Sequence, residues 1–331
     1  MNIRIARLVK PRRHLGTELL LLGVDGGGTK TRAVITDSRQ KVLGEGLAGP
    51  SNPMRVGIKQ AASNVRKAVK EACHRAGIKL SQIVAAEFGI AGVRREDVRE
   101  LMRRELADLG VAEMAVVTDA DTALFGATGG LPGLVIIAGT GSICCGLNER
   151  GQQDCAGGWG PLAGDEGSGA WIARSALQAV ARAADGRGPD TILSAAACRY
   201  FKVTTAEDVM TEIYHPEMTN ERLAGFARYV IAAGHDGDQV ARAILAEAGR
   251  VLGVAAATVI RKLKMRQENF PVAYVGGVFA AGELVLATLR SELEKVAPDA
   301  YLAQPRMNPA VAAARMAQVQ HNSQQEYALA S

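Results

Sequence analysis

Residues 19–24 are almost wholly apolar (LLLLGV), give way to Asp25-Gly26-Gly27-Gly28-Thr29, and turn apolar again over 33–35. Two short apolar runs flanking a glycine turn predict two strands of a hairpin. The pattern returns as an apolar run over 134–138, the turn Gly139-Thr140-Gly141-Ser142, and a second run over 143–147. A third strand, 271–275, runs into Gly276-Gly277-Val278-Phe279. Further strands are predicted over 42–46, 83–91 and 114–117. Helical spacing of Ile58, Ala61, Ala62, Val65, Ala68, Val69 and Ala72 predicts a helix over 57–76, and Val98, Leu101, Met102, Leu106 and Leu109 one over 95–109. Residues 122–127 and 170–184 read as helix, and 191–248 are helical in texture with breaks at 185–189 and 234–237. Three further helices are expected over 246–263, 284–293 and 307–318. Apolar strands alternating with amphipathic helices define an α/β protein, and two related hairpins suggest two halves of similar topology.

The chemistry concentrates where these strands end. Glycines let a ligand approach backbone N–H groups closely, so a tip made of Gly26, Gly27 and Gly28 suits a polyanion. Thr29 and Thr31 add hydroxyls, Lys30 a counter-charge, and Asp25 a carboxylate suited to hold a nucleotide's metal through water. The spacing is neither that of a Walker A loop nor that of a dinucleotide fingerprint; the plainer alternative is a tight hairpin turn. The strand over 114–117 delivers Asp119 at its carboxyl end, where ligands collect in α/β sheets. Helix capping by Asp119 or Asp121 is the competing role, and one of the two serves only that. Asn52, in the turn Gly49-Pro50-Ser51-Asn52-Pro53, is suited to read a ligand hydroxyl or amide, or simply forms the turn. The glycine-dense loop 157–169 holds Trp159 and the adjacent Asp165 and Glu166; a long irregular loop in a compact domain is usually functional.

A net charge of +5 matters only once it is located. The first 17 residues hold Arg4, Arg7, Lys10, Arg12, Arg13 and no acid, which leaves 34 basic against 34 acidic residues elsewhere. A neutral body argues against a nucleic-acid groove, and the basic start lacks a signal peptide's apolar core. It is read as a disordered tail. No uninterrupted apolar run reaches the roughly 18 residues a membrane span needs, so no membrane partner is expected. The five cysteines (Cys73, Cys144, Cys145, Cys155, Cys198) include no C-x-x-C and read as reduced thiols, with the cytoplasm as default compartment.

Residues 25–31, Thr118-Asp119-Ala120, residues 139–142, Gly158-Trp159-Gly160 with residues 164–167, and Gly276-Gly277 occur in an order that resembles the BadF/BadG-type ATPase family. That family includes N-acetylglucosamine kinase and lies within the actin-like, sugar kinase and Hsp70 ATPase superfamily. The resemblance implies a duplicated ribonuclease-H-like (actin-like ATPase) fold of two domains with a nucleotide cleft between them. One domain would comprise 18–130 with a returning helix in 305–322, the other 131–304, leaving a frayed tail over 323–331. It implies ATP bound through Gly26, Gly27, Gly28, Thr29, Lys30, Thr140, Gly141 and Ser142, adenosine against Gly276 and Gly277, and Mg²⁺ near Asp25 through water. Asp119 would take the proton from the primary hydroxyl of a small-molecule sugar lined by Asn52, Gly158, Trp159 and Asp165. The implied activity is phosphorylation of the 6-hydroxyl of an amino sugar, foremost N-acetylglucosamine, with glucosamine or N-acetylmuramic acid as alternatives. A homodimer is expected because the family often dimerises.

Two positions depart from the sugar-kinase pattern: Ala91 stands where serine is frequent, and Ile143 where asparagine is. Losing two polar contacts redraws which sugar is accepted. A rival of another class is the ATP-hydrolysing activator of a CoA-ester dehydratase or reductase, which needs a cysteine-held iron–sulfur cluster. Adjacent Cys144 and Cys145 in a strand point to opposite faces and suit it poorly. A non-catalytic sugar sensor is the second rival; the residues before the first strand are too few for a helix-turn-helix.

Overall fold

The computed structural model describes residues 19–330, so the basic tail expected over 1–17 lies outside the described residues. The chain divides into two compact units, Met1–Leu131 with Pro305–Ser331, and Pro132–Gln304.

The first unit is built on β1 (Leu20–Gly26), β2 (Thr31–Thr36), β3 (Val42–Ala48), β4 (Ile83–Ile90) and β5 (Glu113–Thr118), in the order β3-β2-β1-β4-β5. β1–β2 and β2–β3 pair antiparallel, whereas β1–β4 and β4–β5 are parallel. The second unit uses β6 (Gly133–Ala138), β7 (Ser142–Leu147), β8 (Gln153–Gly157), β9 (Pro271–Val275) and β10 (Tyr301–Ala303), in the order β10-β9-β6-β7-β8. Read from its central strand β6, this is the same plan: two antiparallel neighbours on one side, two parallel strands on the other. The fold is therefore duplicated, as the paired hairpins predict.

The central strands are buried on both faces, which is why they read as continuous apolar runs rather than alternating ones. In the first unit α1 (Pro53–Val56), α2 (Ile58–Ala76) and α3 (Glu96–Leu106) precede α4 (Asp119–Thr128). α2 buries Ala61, Ala62, Val65, Ala68, Val69 and Ala72, and Gly44 and Gly46 of β3 let its backbone approach so closely that any side chain at either glycine would overlap it. Small residues on both partners set this spacing. On the other face of the sheet, α12 (Pro309–Ala330) lays Ala310 and Ala314 directly on Gly23 of β1. The second unit carries α5 (Gly169–Ala184), α6 (Leu193–Phe201), α7 (Ala206–Ile213), α8 (Asn220–Gly225), α9 (Ala227–His235), α10 (Gln239–Leu263) and α11 (Glu283–Glu294). α10 is long and apolar enough by composition to cross a membrane, yet it buries Leu245, Ala248, Leu252, Ala256, Val259 and Ile260 in the core of its own unit.

Several expectations need correction. The edge strands β8 and β10 escape a pattern reading because they are short and carry mixed residues, and only pairing makes them strands. α10 begins at Gln239 rather than 246, because the Asp238 carboxylate caps it by accepting from the Ala241 N–H at 2.8 Å. α12 continues to Ala330, so the tail expected to fray beyond 322 is helical. Two of the cysteines read as reduced thiols are joined: Cys145 of β7 and Cys155 of β8 face each other across the antiparallel ladder and form a disulfide. Cys73 and Cys144 are buried and unbridged.

Among the buried polar residues described, Glu87 stands out. Glu87 of β4 is fully buried, with Gly23 of β1 and Ala115 of β5 beside it, and neither carboxyl oxygen has a partner. Burial, with a smaller push from the Asp121 charge, raises its pKa to about 8. The folded state therefore holds a proton that the unfolded chain releases near pH 4.3, and stability falls as pH rises between these values. Glu87→Gln removes this dependence. The variant's melting temperature relative to the wild type should climb from pH 5 to pH 8, with a gain of at most about 1.4 kcal/mol per pH unit. Parallel thermal melts at the two pH values check this.

Candidate active site

The tip of the β1–β2 hairpin is closed by a Gly27 N–H bond to Lys30 O at 2.9 Å, beyond the last ladder pair Gly26↔Thr31. Its carbonyls are tied to the neighbouring elements. Gly26 O accepts from the Ala91 N–H at the end of β4 (2.7 Å), and Gly27 O from the Ser51 N–H in the turn after β3 (3.0 Å). Thr31 is buried, and its hydroxyl donates to Gly49 O at 2.7 Å and Ser51 Oγ at 2.9 Å. It is thus spent inside the protein rather than offered to a ligand, which corrects the reading that paired it with Thr29. Among the described residues, the N–H groups of Gly28 and Thr29 donate to no protein acceptor. They are the donors left for an anion, with Thr29 and Lys30 exposed beside them.

Asn52 caps α1: its Oδ1 accepts from the Met54 N–H at 3.0 Å and lies against Gly92. The capping role is therefore real, and the amide nitrogen is left over. At the end of β5 the competition between the two aspartates is resolved. Asp121 forms the capping box, accepting from the Thr118 N–H (2.9 Å) and hydroxyl (2.7 Å). Among the described residues, Asp119, the first residue of α4, accepts from the adjacent Ala120 N–H at 3.0 Å and no other donor, which leaves most of its carboxylate open. By surface area it is partly buried, and protein crowds the carboxyl from most directions. Burial, then the charge of Asp25, then that of Asp121, push its pKa up to about 6. Asp25 is raised as well, by burial, against the pull of Lys30 and Arg32. Two neighbouring carboxyls raised by burial, one of them also by the other's charge, are suited to proton and cation chemistry.

The second unit repeats the tip. In the Gly139–Ser142 turn, Gly139 O and Thr140 O accept from the Gly169 and Ala170 N–H groups at the start of α5 (2.7 and 3.3 Å). The Ser142 hydroxyl donates to Glu166 O at 2.7 Å, so this side chain is bound internally. Asp165, in a left-handed conformation at φ 57°, has its Oδ2 2.6 Å from where a methyl group on Gly141 would be, and burial raises its pKa against the pull of the Ser142 and Gly160 backbone groups. Its carboxyl thus lies against the Gly139–Ser142 turn, in the same loop as Trp159, which is 71% exposed. Gly276, at φ 122°, lies so close to Ala138 O that any side chain would collide; Gly277 beside it faces open space. The third glycine turn is thus built against the second. Ile143 packs its Cδ1 against Gly158, 2.9 Å from the position a methyl group there would occupy.

In sequence, residues 22–317 match the BadF/BadG/BcrA/BcrD ATPase family. The chain belongs to that family. Within it, the chain is 34% identical over 259 residues to an N-acetylmuramic acid/N-acetylglucosamine kinase of Clostridium acetobutylicum, covering 78% of this chain and 85% of the relative. It is 32% identical over 310 residues to an N-acetyl-D-glucosamine kinase of Dictyostelium discoideum, covering 90% and 97%. A candidate N-acetylglucosamine kinase from Chromobacterium violaceum has a similar structure, with a TM-score of 0.75 at 30% identity over 91% of this chain and 99% of that one. A glucokinase of Streptomyces griseus, TM-score 0.57 at 19% identity, shares the fold.

The sequence missed two things in this BadF/BadG-family site. It carried no signal that Ser51 clamps the first tip, and none that Arg55 of α1 lies over Gly28, 3.1 Å from a methyl group placed there.

Coupling between the two carboxyls is directly testable. Burial is the main cause of the Asp119 shift and Asp25 the second, so Asp25→Asn should bring the Asp119 titration part of the way down from about 6. Carbon-13 NMR of aspartate-labelled protein follows this; an unchanged titration would show that the two groups do not communicate.

Proposed function

We propose that this chain is an ATP-dependent kinase that phosphorylates the primary hydroxyl of an amino sugar, N-acetylglucosamine or N-acetylmuramic acid, with Asp119 as general base. The observation that carries the reading is the division of labour at the start of α4. Asp121 takes the cap, and Asp119 keeps an open carboxylate at the carboxyl end of β5 with a pKa near the operating range of a base. The relatives named above act on these sugars, and the family is one of ATPases.

Phosphoryl transfer asks little covalent chemistry of a protein; it asks for positioning and for neutralised charge. The open N–H groups of Gly28 and Thr29, with Lys30, fit a phosphate chain at the first tip, and Thr140 and Gly141 fit one at the second. Gly276 and Gly277 fit adenosine, since Gly277 leaves open space against a rigid neighbour. Among the described residues no three His, Cys, Asp or Glu side chains group to hold a metal ion. Asp25 would therefore hold Mg²⁺ with waters and phosphate oxygens completing its shell, the usual manner for this ion, and the bound ion would neutralise phosphate charge. In the proposed step Asp119 accepts the proton of the sugar hydroxyl as that oxygen attacks the γ-phosphorus of ATP, the bond from that phosphorus to the β,γ-bridging oxygen breaks, and ADP leaves with the electron pair. Asn52, through its unused amide nitrogen, Gly158, Trp159 and Asp165 fit the sugar. Asp165 would act mainly by bracing the second tip, given that its carboxyl lies against Gly141. The activator reading needs cysteines free to hold a cluster, and here Cys145 is bound to Cys155 and Cys73 and Cys144 are buried, which leaves Cys198 as the partly exposed free thiol among the described residues.

A coupled ADP-release assay across amino sugars and plain hexoses tests the reading; ADP release independent of any sugar would sink it. Asp119→Asn should lower kcat by about 10²–10⁴ while ATP binding persists. For the wild type, kcat/KM should fall below about pH 6, because the base must be ionised and its carboxyl is pushed up to that value. Ile143→Asn places a polar group against the Gly158 loop and should change the preference among glucosamine, N-acetylglucosamine and N-acetylmuramic acid by about tenfold or more, with the KM for ATP unmoved.

A further inference from the structure

Glu87 is the buried titratable group that the kinase reading leaves without a task. It sits on β4, which runs between β1 and β5 in the sheet of the first unit. Its side chain is fully buried, and neither carboxyl oxygen has a hydrogen-bond partner. A polar group left in that condition costs stability, so a glutamate held there calls for a second explanation.

The elements around it place it under the helix that carries Asp119. Side chains two apart on a strand share a face, so Ala85, Glu87 and Gly89 project to the same side of β4. Ala85 packs with Ala310, Ala314 and Ala317 of α12. Gly89 is covered by Thr122 of α4, so closely that any side chain there would overlap it. Glu87 lies between these two contacts. Thr122 directly follows Asp121, whose carboxylate holds the α4 capping box through the Thr118 N–H (2.9 Å) and hydroxyl (2.7 Å). Asp119 stands between those two cap partners in the chain.

The charges facing Glu87 are few. β1 and β5 set Gly23 and Ala115 beside it. Asp25 lies two residues further along β1, and Glu113 two residues back along β5, where it pairs with His321 of α12 at 2.8 Å. The charge that acts on Glu87 is that of Asp121, which adds to burial in keeping the carboxyl protonated. A neutral Glu87 adds no charge beneath the cap. An ionised one sets a second negative charge near Asp121 where water does not screen it. That repulsion is relieved by drawing Asp121 off the Thr118 N–H, and the helix start that aims Asp119 moves with it.

We propose that Glu87 is a positioning residue for Asp119: as a neutral carboxyl it leaves the Asp121 cap intact, and as a carboxylate it loosens that cap. The consequence for the base rests on the kinase reading, but the coupling is measurable without turnover. Nitrogen-15 NMR of the full chain between about pH 6.5 and about pH 9.5 follows the Thr118 amide, which donates to Asp121. Its resonance should move with a midpoint near pH 8 in the wild type and stay in place in Glu87→Gln. Glu87→Asp, which keeps an ionisable group, should retain a shift. In the sugar-dependent assay, wild-type kcat/KM should fall about tenfold or more across the upper part of that range, since small misplacements of a catalytic group are costly. Glu87→Gln should fall by less than about threefold relative to its own value at neutral pH.

A Thr118 amide indifferent to the Glu87 titration would overturn the proposal. An alkaline fall of equal size in the wild type and Glu87→Gln would overturn it too, because the loss would then belong to another group. If the glutamine variant does not fold, the wild-type titration and Glu87→Asp carry the test. Failure of the kinase reading is separately visible, as an amide that follows Glu87 in a protein without sugar-dependent turnover.

Discussion

Two peptide carbonyls hold the first glycine tip in place. Gly26 O and Gly27 O receive N–H groups from the ends of the two neighbouring segments, Ala91 after β4 and Ser51 after β3. A hairpin tip of three glycines would otherwise be the softest point of the sheet, because glycine gives up the most conformational freedom on folding. Locking its carbonyls inward turns the remaining N–H groups outward, and it fixes Asn52, Arg55 and Asp25 relative to them. The second unit solves the same problem differently, bracing its turn with the first N–H groups of α5 and with the Asp165 side chain packed on Gly141.

Electrostatics then sorts residues that look alike. Asp119 and Asp121 are two positions apart on one helix start, yet one is satisfied by a capping box and the other is held up by burial and by Asp25. Glu87 lies deeper on the neighbouring strand, wholly unpartnered, and it is neutral for that reason. The first unit therefore carries a graded series of carboxyls, from the buried Glu87 to the more open Asp119. Close packing makes this possible: Gly23 against Ala310 and Ala314, and Gly89 against Thr122, bring helices near enough to exclude water from around these groups.

The strands that flank glycine turns were legible because both faces are buried, so the run is continuous and its interruption conspicuous. The same logic failed at β8 and β10, edge strands whose identity comes from a partner and not from their own residues. The Cys145–Cys155 bond was lost with β8, since only that strand brings the two side chains opposite each other. Asn52 read as a turn former or a ligand reader, and it caps a helix of one turn too short to leave a periodic signal.

By itself the sequence determined the duplicated α/β plan, the three glycine turns and the carboxylate at the end of β5. Each is set by local pattern: hydrophobic period, a residue type with special backbone freedom, or position at a strand end. Only the tertiary structure decided which aspartate is spent as a cap, that Thr31 and Ser142 turn their hydroxyls inward, and that Arg55 lies on Gly28. Those outcomes depend on which groups meet across the sheet and on how much water remains around them, and neither is written in the order of residues along one strand.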